Sequence, residues 1–472
     1  MAIDDGLRGT LLLVAGLGLA LPACGGVGGR EDASEGGEAG ITVGPGSLTN
    51  SDTSAGTGTG TSQGTVAGTA DETVDDGSET IDPPKFDTNT MPDGGMNGGC
   101  ECGGDLRWSY IWVANSNEST VSKIDTLTLV EEGRYQTEPG VAGNPSRTSV
   151  SLTADAVAVA NRNGGVTKVW AREEFCDPLR NGMPGVQTST GAAALPFAQE
   201  DCIAWHTDFN YSTQRPVAWT SGVQNPATCE YEGTAVWTSG CTIGADANVW
   251  VHLLDGETGV SLGDIQVAGF PCTAFGAYGG AVDSNNDFWI SNNDSNSLIA
   301  RIRLSDFSTE VVSAPYHPYG IAVDGLDRVW LTINNVETTP NVAAQRYDPA
   351  TGVWDIAMGA TITGFSGIQE GADGTMWLNY GYGGAIGLTS IDRDTLTVGA
   401  QIPIPGSVTW LNGISIDPDG NVWTVSPSAN SVFRYDPGTG LIDSYNGLNF
   451  PYTYSDMTGS GLLNSTCGSP VG

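Results

Sequence analysis

Side chains able to move protons are few in this chain. Only three histidines occur in 472 residues: His206, His252 and His317. Acid–base catalysis needs a titratable group poised near the working pH, so this scarcity narrows the options. His317 sits among Tyr316, Pro318 and Tyr319, just before an apolar run, and is the one histidine placed for chemistry. His206 and His252 fall in strand-like runs and read as surface residues. No Ser–His–Asp order stands in a supporting context, and no Cys-x-x-Cys with metal-ligand spacing exists. The strings at 283–287 and 324–327 read as hairpin turns, because Asp, Asn and Gly tolerate left-handed and Asx conformations. No catalytic residue set emerges, and the sequence leans away from an enzyme.

Recognition chemistry is better represented. Asn115, Asn161 and Asn292, with Asn334 and Asn379, each end or follow an apolar run. A ring of such amides could coordinate a divalent cation through carbonyl oxygens, or hold a sugar or peptide. The structural alternative is that each makes an Asx turn. His317, Tyr319, Trp410, Asn412, Tyr454 and Asp456, with Arg147 and Tyr278, fall where loops enter strands. Aromatics mixed with polar groups around a concave mouth suit carbohydrate or peptide recognition, while the alternative is packing between sheets. A divalent cation is the one cofactor this pattern admits.

The elements that must position these groups form a repeat. Gly279, Gly320, Gly367 and Gly413 each open a short apolar strand, an Asp/Gly/Asn turn and a second strand carrying Trp289, Trp330, Trp377 or Trp423. A third strand then ends in Asp. Weaker copies centre on Trp112, Ala158 and Trp237, giving seven anchors in all. Four short strands per period of roughly 45 residues is the pattern of a β-propeller blade. The reading is therefore all-β: a seven-bladed β-propeller over 108–472, with an insertion at 171–214. A spare segment at 452–464 is expected to supply the innermost strand of the first blade and close the ring.

Three motifs carry a resemblance: Pro318-Tyr319-Gly320-Ile321, Trp289-Ile290-Ser291-Asn292 and Asp417-Pro418-Asp419-Gly420-Asn421-Val422-Trp423. The units resemble those of streptogramin lyase (virginiamycin B lyase) and NHL-repeat propellers, over about 108–463. The resemblance implies a metal-dependent lyase or lactonase-like activity on one face of the ring. Lyase blades carry Glu three residues after Trp. Here that place holds Asn115, Asn161, Gly240, Asn292, Ile333, Tyr380 and Ser426. The lyase histidine follows Pro directly; here Tyr319 stands there and His317 precedes the Pro. Both departures favour a binding module over the lyase, with His317 the catalytic candidate of that alternative.

The N-terminus supplies an address. Residues 11–21 form an apolar run of signal-peptide length, followed by Leu21-Pro22-Ala23-Cys24-Gly25. This resembles a bacterial lipobox, so 1–24 reads as a lipoprotein signal peptide with Cys24 lipidated. Residues 25–107 are a Gly/Ser/Thr/acidic linker, too poor in apolar side chains to fold. Eight cysteines remain beyond Cys24, an even number that suits disulfides. The favoured pairs are Cys176 with Cys202, and Cys467 with Cys100 or Cys102. An exported protein on the outer membrane or cell surface, anchored by lipid and monomeric, is the expectation. The net charge of −36 repels phosphate backbones, so nucleic acid is excluded as a partner.

Overall fold

The computed structural model describes residues 109–140, 142–225, 231–334, 341–359, 365–381 and 385–467. The signal-like run, Cys24, the linker, Cys100, Cys102 and Cys229 lie outside them. Besides a two-stranded ribbon of Val223–Gln224 and Tyr231–Glu232, seven larger antiparallel sheets succeed one another along the chain. The first has three strands, Tyr110–Asn115, Thr120–Asp125 and Glu131–Gln136, and the other six have four each. Those six are led by Pro145–Val150, Thr213–Trp219, Ala277–Val282, Pro318–Val323, Ile368–Glu370 and Asn412–Ile416. Each leading strand packs against the next, so the sheets stand radially around an axis.

The tail closes the ring. The Tyr452 N–H donates to the Ala114 carbonyl at 3.0 Å, and the Trp112 N–H to the Met457 carbonyl at 2.9 Å. Ile111 and Val113 of the first sheet then share one apolar cluster with Trp423 and Val425 of the last, and with Met457. The chain is thus a seven-bladed β-propeller whose first blade is completed by residues from the opposite end. The strand-like part of the tail is shorter than 452–464: Ser460–Cys467 forms an α-helix. It packs on the far ends of the inner strands and plugs that end of the channel.

A second-strand Trp and a first-turn Asp fix each regular blade. The Trp289, Trp330 and Trp423 indole N–H groups donate to Asp283, Asp324 and Asp417 at 3.0, 2.8 and 2.8 Å. Each Asp also accepts backbone N–H groups of its own hairpin, which makes the buried carboxylate tolerable. These strings are turns, as expected from the sequence.

Two disulfides are present among the described residues, Cys176–Cys202 and Cys241–Cys272. The first was expected; the second ties the end of one blade-three strand to the end of another. Cys467 is also disulfide-bonded, and its partner lies outside the described residues. Such bonds belong to an oxidising, non-cytoplasmic compartment. The excursion from the second blade is narrower than 171–214, because Ile203–Thr207 is that blade's outer strand and Thr213 already begins the next blade.

Candidate functional site at the channel mouth

Five inner strands carry an irregularity near their start. Pairing skips a residue or two at Ser146, at Arg215–Pro216, at Tyr278, at Tyr319–Gly320 and at Gly413. A β-bulge breaks the alternation of side chains and re-aims the ones it contains. Here Arg215, Tyr278 and Tyr319 lie in the bulges and Arg147 directly follows one. All four gather at the same end of the axis, the end opposite the helical plug.

Four tyrosines make a layer across the channel. Tyr278 donates its hydroxyl to Tyr319 at 2.8 Å, and the Tyr278 and Tyr452 hydroxyls lie 2.7 Å apart. Tyr319 bonds Tyr454, which donates to Asn412 Oδ1 at 2.6 Å. Burial drives the Tyr278 hydroxyl up to about 12, and raises Tyr319 and Tyr454 further. Burial would raise Tyr452 as well, but the Arg147 charge, hydrogen bonding within the tyrosine layer and the Arg162 charge bring it below the ordinary tyrosine value. Beneath the layer lie cavities of about 10 and about 50 Å³. Neither approaches the several hundred Å³ of a typical small-molecule pocket.

Three arginines surround this layer. The Arg147 guanidinium is sandwiched between the Tyr278 and Tyr454 rings at 4.7 and 4.5 Å and donates to the Ser146 and Tyr278 carbonyls. Arg162 lies over the Tyr452 ring at 4.3 Å, and Arg215 over Phe275 and Tyr278 at 4.9 and 5.3 Å. None has a carboxylate within ion-pairing distance among the described residues, and the Nε of each is buried without a partner. Burial, together with the neighbouring Arg215 charge, pulls Arg162 down to about 10. Around them runs an arc of half-exposed aromatics: Trp410 lies 6.0, 5.8 and 5.7 Å from Phe365, Phe450 and Tyr452.

The residues singled out from sequence divide into groups. Tyr319, Asn412 and Tyr454 belong to the tyrosine layer, and Trp410 to the aromatic arc. Asn115 donates to Ser122 at 2.8 Å and accepts the Asn449 N–H, and Asn292 accepts the Leu298 N–H. Both amides are used inside their own surroundings. Asn161 donates to Glu138 at 3.2 Å, yet its Oδ1 is buried without a partner. Asp456 lies at the opposite end of the channel, where it accepts the Gly459 and Leu462 N–H groups at the start of the helix. The tail runs down the axis between Phe450 and Met457, which carries Asp456 away from the mouth.

The histidines differ more from expectation. His206 is not a surface residue: its side chain is 7% exposed, between Asp208 at 2.9 Å and Glu138 at 3.6 Å. Burial alone would lower its pKa, but the hydrogen bonds and charges of Glu138 and Asp208 raise it overall. Glu138, His206 and Asp208 offer ligand atoms within 4.8 Å of one another, the one such group among the described residues. His252 bonds the Tyr211 hydroxyl at 2.8 Å. His317 is half-buried with an unpartnered Nε2, and nearby Asp294 is held below the ordinary carboxylate range first by the Thr273 hydroxyl and then by Ser295. Arg162, Arg215 and Tyr452 were missed from sequence. The signal available was for the arginines: Arg215 near the start of a strand and Arg162 just past the end of one, in a chain with only 18 basic residues.

Fold and site together define a closed seven-bladed β-propeller with one plugged end and one arginine- and tyrosine-lined mouth. Compared with protein-family models and with curated proteins, the sequence matches none. Among solved structures, similar ones include a functionally unknown protein from Desulfotomaculum acetoxidans (10% identity, TM-score 0.49, 73% of this chain and 97% of that one). Streptogramin B lyase is also similar (16% identity, TM-score 0.45, 71% and 92%), as is the dihydro-heme d1 dehydrogenase NirN (10%, 0.44, 75% and 78%).

Proposed function

We propose that the protein is an exported, lipid-anchored binding module of the cell envelope that takes a carbohydrate ligand at the channel mouth. The observation that carries this reading is the arc of Phe365, Trp410, Phe450 and Tyr452, half-exposed above a channel too narrow to admit a ligand. Flat aromatic faces beside hydroxyl groups suit sugar rings, and a rigid ring of blades holds them without an ordering cost on binding. In this reading Cys24 carries the lipid and residues 25–107 hold the propeller off the outer membrane or cell surface.

Glycan and peptide arrays probed with the protein test the ligand class. Binding to glycans that is lost with Trp410→Ala is expected. Silence on glycans, or glycan binding indifferent to that change, rejects the reading. Turnover of a cyclic depsipeptide lactone that disappears with His317→Ala would put a lyase in its place. Cys24→Ala is expected to release the protein from the membrane fraction, and retention there rejects the anchor.

A further inference from the structure

Resting on that reading of the mouth, we propose that the ligand is an anionic saccharide, whose carboxylate or sulfate group seats between Arg147, Arg162 and Arg215.

The argument begins with what these arginines lack. Elsewhere in the propeller, arginines on strands pair with acids: Arg301 with Asp283 and Asp287, Arg328 with Asp324, Arg393 with Glu370, Arg434 with Asp443. Acids outnumber bases threefold, 54 to 18, so partners are plentiful. Yet three guanidinium groups converge at the mouth with none. A buried cation without a counter-charge is costly, more so beside two others. Its retention in triplicate makes sense where an oxyanion supplies the missing charge.

The local geometry fits that occupant. Each Nε–H is buried without an acceptor; both Arg147 Nη groups are spent on the Ser146 and Tyr278 carbonyls and Arg162 Nη1 on Asn144 Oδ1 at 2.6 Å, which leaves Arg162 Nη2 and the Arg215 Nη groups as the donors that can turn to a carboxylate or sulfate. Arg147 is 1% exposed and forms the floor, while Arg162 and Arg215 are half-buried and reach the opening. The Tyr452 ring lies between Arg162 and Trp410, so it joins the arginines to the aromatic arc. The overall field of the protein repels anions, so this affinity cannot be a by-product of a basic surface. It has to be built at the site.

Calorimetric titration of the whole protein with four probes tests the assignment: trigalacturonate, a sulfated trisaccharide, a neutral trisaccharide and triglutamate. At least one anionic sugar is expected to bind about tenfold or more tighter than the neutral one, and the better of the two tells carboxylate from sulfate. Arg162→Ala/Arg215→Ala is expected to weaken that binding by about tenfold or more, and by clearly more than it weakens the neutral sugar. Should the double variant fail to fold, Arg162→Lys keeps the charge and loses the planar guanidinium, and it is expected to weaken the anionic sugar more than the neutral one. Equal binding of neutral and anionic sugars overturns the proposal, as does no binding of either anionic sugar. Triglutamate binding as tight as the sugars overturns it too. If the neutral sugar binds and Trp410→Ala abolishes this, the mouth reading survives while the anionic assignment fails. If Trp410→Ala changes nothing, both fall.

Discussion

At Asp324 two carboxylate oxygens serve four donors. Oδ1 takes the Leu326 and Arg328 N–H groups, and Oδ2 takes the Trp330 indole and Arg328 Nε. One side chain therefore holds a hairpin, anchors the blade's central tryptophan and neutralises a half-buried cation. Asp324→Ala leaves the indole and the guanidinium without an acceptor, and is expected to cost about 2–4 kcal/mol in denaturant unfolding. A cost under about 0.5 kcal/mol would mean water replaces the carboxylate and the residue is only a turn former. From sequence the residue read as a turn, which is correct but incomplete. The indole partner six positions away faces it only once the two strands pair. The asparagines show the opposite case: Asn115 and Asn292, which read as ligand donors, have their amides engaged by nearby strands and loops.

Among elements, the third-to-fourth-strand turns repeat one device. The Thr258 hydroxyl, the Thr395 N–H and the Thr439 hydroxyl lead the hydrogen bonds that hold Asp255, Asp392 and Asp436 below the ordinary carboxylate range. A depressed folded pKa gives stability that is present above the unfolded value and lost as pH falls through the folded one. Asp392→Asn should therefore lower the melting temperature at pH 7, with the difference shrinking as pH falls below the ordinary carboxylate range. A deficit that persists in acid would show that the charge is not what matters. Asp283 and Asp417 run the other way: burial raises them, so their contribution is largest in acid and is lost as pH rises through the raised value. Gly413 marks where tail and seventh blade meet. Its φ is +57°, and a Cβ there would strike the Thr453 carbonyl. Gly413→Ala is thus expected to lower the melting temperature by displacing the closing strand, whereas Gly420→Ala, with nothing near its Cβ, isolates the cost of a positive φ alone.

For the whole molecule, closure is the decisive contact. Residues near 110 and near 457 pair, so the stability of the first blade depends on the last residues of the chain. Deleting 450–472 removes the segment that hydrogen-bonds along the inner edge of blade one, part of the tyrosine layer and the helical plug. The truncated protein is expected to melt at a lower temperature and less cooperatively; an unchanged sharp transition would mean the ring is held by its other blades. Reduction is a second lever at this scale. The Cys241–Cys272 bond closes a loop of sequence separation 31, and Cys241→Ser/Cys272→Ser is expected to cost about 2–4 kcal/mol by the same unfolding measurement.

The blade count, the closing tail and the Cys176–Cys202 pair were all legible in the residues. Each rests on a local signal: a recurring Gly, an Asp/Gly/Asn turn and a Trp-bearing strand, all within one period of the chain. Turn chemistry and strand pairing act over a few residues, so a linear text records them. The makeup of the mouth is of another kind. Arg147, Tyr278 and Tyr319 could be placed there from the repeat, since each stands where a loop enters a blade's first strand; Arg162, which follows the second strand of Arg147's own blade, Arg215 and Tyr452 carry no local pattern that marks them as their neighbours. Bulges that break alternation turn Arg215, Tyr278 and Tyr319 to the axis, and only closure of the ring brings three unpaired cations and four phenols into one place.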